Sequence, residues 1–105
     1  MLIRHATPVR NLRSIRSHGL LAARALGKRP AVWLHTAERS AWAALHTVRR
    51  HRCRAEAVAI LILDLPRSWL TRSRRGLWYS LRDVPPARIV GHVTFAALSR
   101  SPLED

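Results

Sequence analysis

Residues 57–65, which read AVAILILDL, limit the fold of this chain more than any other feature. Nine residues with one charged side chain and several β-branched ones are typical of a strand that is buried on both faces of its sheet. The chain has 105 residues, which is enough for one such core and too few for two. We therefore expect one domain over residues 1–98 and a flexible tail over residues 99–105.

Four further strands and two helices are predicted around this central strand. The strands are expected at 2–5, 31–35, 77–81 and 88–98, and the helices at 8–18 and 36–48. Thr7 and Thr36 are suitable N-caps for the two helices, and Gly19 suits the left-handed end of the first. Both helices fall in the first half of the chain, so we predict an α+β fold rather than a doubly wound parallel sheet.

The tryptophans are expected in the core, and the alternative is that one of them stacks on a base or a nicotinamide ring. Each of the four falls within or beside a predicted element, at Trp33, Trp42, Trp69 and Trp78. In the second helix, the apolar face is predicted to comprise Ala41, Trp42, Leu45 and Val48.

The charge of the chain is strongly positive, with 19 basic residues against 6 acidic ones and a net charge of +13. Every basic residue except Lys28 is an arginine, whose planar fork suits phosphate oxygens. Such a charge attracts polyanions, and nucleic acid is the expected partner. The alternative is that a GC-rich genome favours arginine and that the charge serves solubility. A basic hinge is predicted at 49–54, and its arginines are the candidate nucleic-acid-binding residues: Arg49, Arg50, Arg52 and Arg54.

Several classes of protein are excluded. A single cysteine, Cys53, cannot form an internal disulfide, so we expect an intracellular, cytoplasmic protein. No apolar run of about 18 residues is present, so no membrane span is expected. His46, His51 and Cys53 lack a fourth ligand and lie among arginines, so no metal site is expected.

Two histidines stand out, because His5 and His35 each end a predicted strand just before a threonine-capped helix. If the two strands are neighbours, both histidines lie at one edge of the sheet beside helix N-termini, which attract phosphate. The alternative is that each is a partly buried strand-end histidine that bonds a backbone carbonyl. The sequence leaves both interpretations open.

Four segments resemble the ADP-ribosyltransferase fold. Residues 2–21 (LIRHATPVRNLRSIRSHGLL) resemble the opening of these proteins, in which a strand ends in a histidine, a small residue and a threonine, before a helix that ends in Gly-Leu. Residues 31–36 (AVWLHT) resemble the second strand. Residues 58–65 (VAILILDL) and 76–89 (GLWYSLRDVPPARI) are similar to the long central strand and the Val-Pro-Pro turn. The nearest groups are the RNA 2′-phosphotransferases and the DNA-modifying ADP-ribosyltransferase toxins.

The resemblance implies a small, split antiparallel or mixed sheet with an NAD-binding cleft where its halves meet. It implies that His5 bonds the ribose next to the adenine, that Thr7 supports it, and that Trp33 or His35 packs against the nicotinamide. Arg74 and Arg82 are the expected phosphate contacts. The implied cofactor-binding set is His5, Thr7, Trp33, His35, Thr36, Arg74 and Arg82.

The implied catalytic residues are His5 and Asp83. Many transferases of this fold carry a late glutamate, and the corresponding position here is Ala87, so Asp83 is the nearest acid that can replace it. The RNA 2′-phosphotransferase group works without that glutamate, with His and Arg side chains acting on an ADP-ribosylated phosphate.

The expected function is that of a minimal ADP-ribosyltransferase-like protein that binds NAD or an ADP-ribose-type ligand and acts on nucleic acid. One alternative is a catalytically degenerate nucleic-acid-binding module. The other is a subunit of a larger nucleoprotein assembly.

Overall fold

The computed structural model describes residues 1–25 and 29–94, which form six strands and two α-helices. The strands are β1 (Leu2–Pro8), β2 (Val32–His35), β3 (Val58–Asp64), β4 (Thr71–Arg74), β5 (Leu77–Ser80) and β6 (Ile89–Thr94). The helices are α1 (Leu12–His18) and α2 (Ser40–His51). The predicted tail at 99–105 and the end of the last predicted strand, 95–98, lie outside the described residues.

All six strands belong to one antiparallel sheet in the order β4-β5-β2-β1-β3-β6. The predicted α+β class, with both helices in the first half of the chain, is confirmed. Strand β4 was not predicted, because all four of its side chains are exposed and polar and show no alternation. It forms a hairpin with β5 through a turn at Gly76, where a φ of +73° favours glycine.

Strand β1 is longer than predicted. Thr7 and Pro8 pair with Ala59 and Val58 of β3, so the strand continues past His5. Residues 9–11 then form a 3₁₀ turn, and α1 begins only at Leu12. The prediction that Thr7 is the N-cap of the first helix is therefore wrong, because pairing with β3 along its full length satisfies the backbone of β1 instead.

Strand β3 is buried on both faces, as predicted. Leu61 and Leu63 pack into the cluster that includes Ile15 of α1, whereas Val58 and Ile60 pack against Ala44 of α2. The two helices therefore cover opposite faces of the sheet, and β3 contributes to both cores.

Helix α2 presents a different face to the sheet from the predicted one. Its buried side chains are small, namely Ser40, Ala43, Ala44 and Thr47. The buried hydroxyl of Thr47 donates to the Ala43 carbonyl at 2.8 Å, which satisfies it within the helix. Trp42 and Leu45 of the predicted face are 46% and 51% exposed, whereas Val48 packs against the cluster of Ala44, Val58 and Ile60.

The segment 49–54 is not a hinge. Arg49, Arg50 and His51 form the last turn of α2, which ends where Arg52 adopts a left-handed φ of 50°. Among the described residues, no helix is long and apolar enough to cross a membrane.

The sheet is nearly divided between β1 and β2. These strands share one residue pair, Arg4 with His35. On one side of this seam β1 pairs with β3 over seven residues, and on the other β2 pairs with β5 over four. The sheet therefore consists of two three-stranded halves, β4-β5-β2 and β1-β3-β6, joined at one point.

Candidate functional site

A cavity of about 790 Å³ lies at the seam between β1 and β2. Its walls come from β1, β2, α2, the end of β4, and α1 with the loop that follows it. Because the strands share one pair, side chains from both faces of the sheet line the same cavity. We call this the seam cavity.

The seam cavity is lined by basic side chains, and its positive charge comes from arginines. It contains four arginines and four histidines, which are Arg10, Arg24, Arg50, Arg74, His5, His35, His46 and His51. No Asp or Glu among residues 1–25 and 29–94 lines it. A concave surface with this charge raises the local concentration of anions.

His5 bridges the seam. Its Nδ1–H donates to the carbonyl oxygen of Trp33 at 2.6 Å, so the neutral ring keeps a lone pair on Nε2. Burial lowers the pKa of His5, and the nearby His51 lowers it further, although the hydrogen bond to Trp33 opposes both. At neutral pH His5 therefore offers a hydrogen-bond acceptor to the cavity.

His35 is buried without full hydrogen bonding. Its side chain is 3% exposed, and its Nε2 has no partner among the described residues. Burial, then His5 and Arg4, lower the pKa of His35 to about 4. A buried polar atom without a partner costs about 1–3 kcal/mol, so a bound group that supplied one would be stabilised.

The arginines on the α1 side are held in place by hydrogen bonds. Arg10 Nη2 donates to the His51 carbonyl at 3.1 Å, and Arg24 Nη1 donates to Ser14 Oγ at 3.1 Å. The pKa of His51 is lowered by burial and then by Arg10, Arg50 and His46. Because each guanidinium has five N–H groups, these bonds leave further donors on Arg10 and Arg24.

Two tryptophans line the cavity with exposed rings. Trp33 is 42% exposed and lies against Tyr79, with ring centroids 5.3 Å apart. Trp42 is stacked on His46 at 5.1 Å with an interplanar angle of 11°. The predicted core role is therefore wrong for both, whereas Trp78 is 8% exposed and belongs to the core. The exposed indoles offer flat apolar surface to a planar ligand.

The structure brings together five of the eight residues that were predicted to bind the cofactor or to act in catalysis. Those that line the seam cavity are His5, Thr7, Trp33, His35 and Arg74. The side chain of Thr7 is buried and accepts from Asn11 Nδ2 at 3.4 Å.

The other three residues of the predicted cofactor-binding and catalytic set do not line the cavity. Asp83 Oδ1 accepts the Ala22 N–H at 2.9 Å, so this carboxylate holds the loop after α1 instead. Arg82 lies over the Trp69 ring at 4.2 Å. Thr36 Oγ1 is buried without a partner and lies close to Gly76 rather than at the cavity.

The four predicted nucleic-acid-binding arginines do not all lie at the same site. Arg50 lines the seam cavity, whereas Arg49, Arg52 and Arg54 do not. Arg54 pairs with Glu56 at 3.7 Å, and both side chains are highly exposed.

Sequence reasoning missed several cavity residues, among them Arg10, Arg24, Trp42, His46 and His51. Trp42, His46 and Arg50 follow one another at intervals of four, a spacing that places them on one face of a helix. That pattern was visible in the sequence. Arg10 and Arg24 gave no such signal, because they reach the cavity through the position of α1 on the sheet.

The histidines do not form a metal centre. Among residues 1–25 and 29–94, no three His, Cys, Asp or Glu side chains are grouped so that they could hold a metal ion. No protein-family model matches the chain, and no curated protein matches its sequence.

Proposed function

We propose that the chain binds a nucleotide of the ADP-ribose class, such as NAD or an ADP-ribosylated phosphate, in the seam cavity. One observation carries the proposal: a cavity of about 790 Å³ with four arginines, four histidines and no described carboxylate. The volume is within the range of about 300–1,000 Å³ that is usual for small-ligand sites. The resemblance of residues 2–21, 31–36, 58–65 and 76–89 to the ADP-ribosyltransferase fold supports the same ligand class.

The pyrophosphate of the ligand is the group that the arginines of the seam cavity would bind. Arginine forks bind phosphate oxygens through paired, charge-assisted hydrogen bonds. Arg10 and Arg24 on the α1 side and Arg74 at the end of β4 are available for this role. The six acids of the chain, set against 19 basic residues, leave most arginines without a carboxylate to compete for them.

The ribose hydroxyls need hydrogen-bond partners at the seam. His5 Nε2 is an acceptor, since Nδ1–H is committed to Trp33. His35 Nε2 is buried and unpartnered, and a ligand hydroxyl would satisfy it. The ring systems of the ligand are matched by the exposed indoles of Trp33 and Trp42.

The enzymatic form of this proposal is a transferase that relies on His and Arg. When bound, NAD supplies a ribose carbon that becomes electrophilic as nicotinamide leaves. Asp83 is committed to Ala22, so no described carboxylate faces this carbon. Positioning of the ribose by His5 and of the phosphates by the arginines is the remaining means of catalysis, and it resembles the use of His and Arg in the RNA 2′-phosphotransferase group.

Calorimetric titration of the protein with ADP-ribose, NAD, AMP and adenosine tests the binding proposal. We expect ADP-ribose and NAD to bind, and adenosine to bind at least about tenfold more weakly because it lacks phosphates. Absence of binding by both ADP-ribose and NAD would overturn the proposal. Release of nicotinamide from NAD, with and without RNA or DNA, tests the enzymatic form separately.

A nucleic-acid-binding module is the second candidate. The net charge of +13 favours it. It predicts binding to RNA or DNA that weakens as salt is raised, with no binding of ADP-ribose.

A further inference from the structure

Three arginines outside the seam cavity are stacked on two indole rings. The guanidinium carbons of Arg82 and Arg88 lie 4.2 Å and 5.3 Å from the centroid of Trp69. That of Arg67 lies 4.8 Å from the centroid of Trp78. We call these five residues the stacked arginine cluster.

The cluster is separate from the seam cavity. None of its five residues lines that cavity. Trp69 and Trp78 pack with the core on the α1 face of the sheet, whereas α2 and its basic end lie on the other face. A ligand at the cluster would therefore occupy a different place from a ligand in the cavity.

The stacked arginines have no carboxylate partner. None of Arg67, Arg82 and Arg88 forms an ion pair with a described residue, and the nearby Asp83 bonds the Ala22 N–H instead. Each guanidinium carbon lies over an indole ring, and attraction to the ring needs no carboxylate, so N–H groups remain for other acceptors. Since Arg67 and Arg82 are exposed, those groups are accessible.

We propose that the stacked arginine cluster binds the phosphodiester backbone of a nucleic acid. Contact with an indole limits the motion of each guanidinium, so less side-chain entropy is lost when it binds a phosphate. A repeating phosphate backbone matches cations held close together, as Arg82 and Arg88 are over the one ring of Trp69. The indoles are covered by the arginines, and Trp78 is 8% exposed, so the surface lacks the free aromatic side chains that favour a lipid bilayer.

This location differs from the basic end of α2, where the sequence predicted the nucleic-acid surface. There Arg54 pairs with Glu56 and Arg50 faces the seam cavity, so that run does not form one surface. Arg49 and Arg52 are exposed and take part in no aromatic stack, so they provide a control with the same change in charge.

Fluorescence anisotropy with a labelled 20-nucleotide single strand, over a range of salt concentrations, tests the proposal. The variant R82Q/R88Q removes two charges from the stacked arginine cluster. The control variant R49Q/R52Q removes two charges from the basic end of α2. We expect R82Q/R88Q to weaken binding at least about tenfold and to reduce the salt slope by about 1.4, or about 0.7 for each lost phosphate contact. The control pair should weaken binding less than about threefold. An equal loss in both pairs, or a larger loss in the control pair, would overturn the proposal.

Arginine footprinting on the unaltered protein keeps the test valid if R82Q/R88Q does not fold. A dicarbonyl reagent and mass spectrometry measure the reactivity of each arginine with and without the oligonucleotide. We expect protection of Arg67, Arg82 and Arg88 and continued reaction of Arg49 and Arg52. Protection by polyglutamate or by phosphatidylserine vesicles, but not by the oligonucleotide, would contradict the choice of nucleic acid as the partner. Because ADP-ribose binding is measured separately, failure here leaves the proposal for the seam cavity standing.

Discussion

His5 and Trp33 are joined across the β1–β2 seam by a hydrogen bond from the imidazole Nδ1–H to the backbone carbonyl, with a length of 2.6 Å. The backbones of these strands share one pair, so a side chain supplies a link where the ladder does not. The same bond sets the tautomer of His5 and leaves Nε2 as an acceptor. One contact thus supports both the seam and the proposed ribose contact.

Replacement of His5 by alanine is expected to weaken both stability and binding. Loss of the bond to Trp33 should reduce the free energy of unfolding by about 0.5–1.5 kcal/mol, the usual net contribution of a hydrogen bond. Affinity for ADP-ribose should fall at least about tenfold. Chemical denaturation and calorimetry measure the two effects. His18→Ala is the control, since His18 is exposed and bonds the Ser14 carbonyl of its own helix. Unchanged affinity in His5→Ala would argue against a ligand contact.

Acid should destabilise the fold through His35. The unfolded chain takes up a proton on this ring near its ordinary pKa of 6.5, whereas the folded protein does so only at about 4. The unfolded state therefore binds more protons in this window, and stability falls as the pH is lowered through it. The expected loss between pH 7 and pH 4.5 is about 2–3 kcal/mol.

Denaturation curves at these two pH values check the role of His35. His35→Gln should show a clearly smaller loss, because glutamine does not titrate. His18→Gln should lose as much stability as the unaltered protein. If His35→Gln kept the full pH dependence, other groups would have to account for it.

Gly19 is expected to be intolerant of any side chain. Its φ is +77°, and a Cβ there would lie 2.0 Å from the Val84 carbonyl oxygen, which accepts the Leu20 N–H. Gly19→Ala should therefore lower stability by at least about 2 kcal/mol. Gly91→Ala is the matched control, because its nearest heavy atom is 4.0 Å away, at Ile62 Cδ1. Thermal melts of the two variants measure the difference, and equal melting temperatures would contradict this role of Gly19.

Asp83 is expected to act in the fold rather than at the ligand. Asp83→Ala removes the acceptor of the Ala22 N–H and should cost about 1–2 kcal/mol in stability. Asp83→Asn keeps an acceptor oxygen and should cost less. Neither change should alter the affinity for ADP-ribose by more than about twofold, since Asp83 does not line the seam cavity. A large loss of affinity with unchanged stability would restore the sequence-based assignment of Asp83 to the active site.

The sequence predicted those parts of the fold that depend on local pattern. The apolar run of β3 predicted a strand that is buried on both faces of the sheet, and this burial is confirmed. Strand β4 was not predicted, because its exposed side chains carry no apolar pattern. Its backbone pairing with β5 holds it in the sheet. In α2, the buried side chains are alanine, serine and threonine, so hydrophobicity pointed to the wrong face.

The candidate site was predictable only in part. His5, Thr7 and His35 were found through the resemblance and through their place beside predicted helix starts, although α1 begins only at Leu12 and α2 at Ser40. Arg10 and Arg24 reach the same cavity because α1 lies over one half of the sheet near the open seam. That arrangement depends on how β1 and β2 separate, and no local pattern encodes it. The same applies to Arg82, which stacks on Trp69, a residue that precedes it by 13 positions.

Calorimetric titration of ADP-ribose into R24Q/R74Q and R13Q/R16Q tests the central claim most directly. Both variants lose two positive charges, but Arg24 and Arg74 line the seam cavity, whereas Arg13 and Arg16 are exposed on α1 away from it. The account predicts that R24Q/R74Q binds ADP-ribose at least about tenfold more weakly, and that R13Q/R16Q changes the affinity less than about threefold. Equal affinities in the two variants would contradict it.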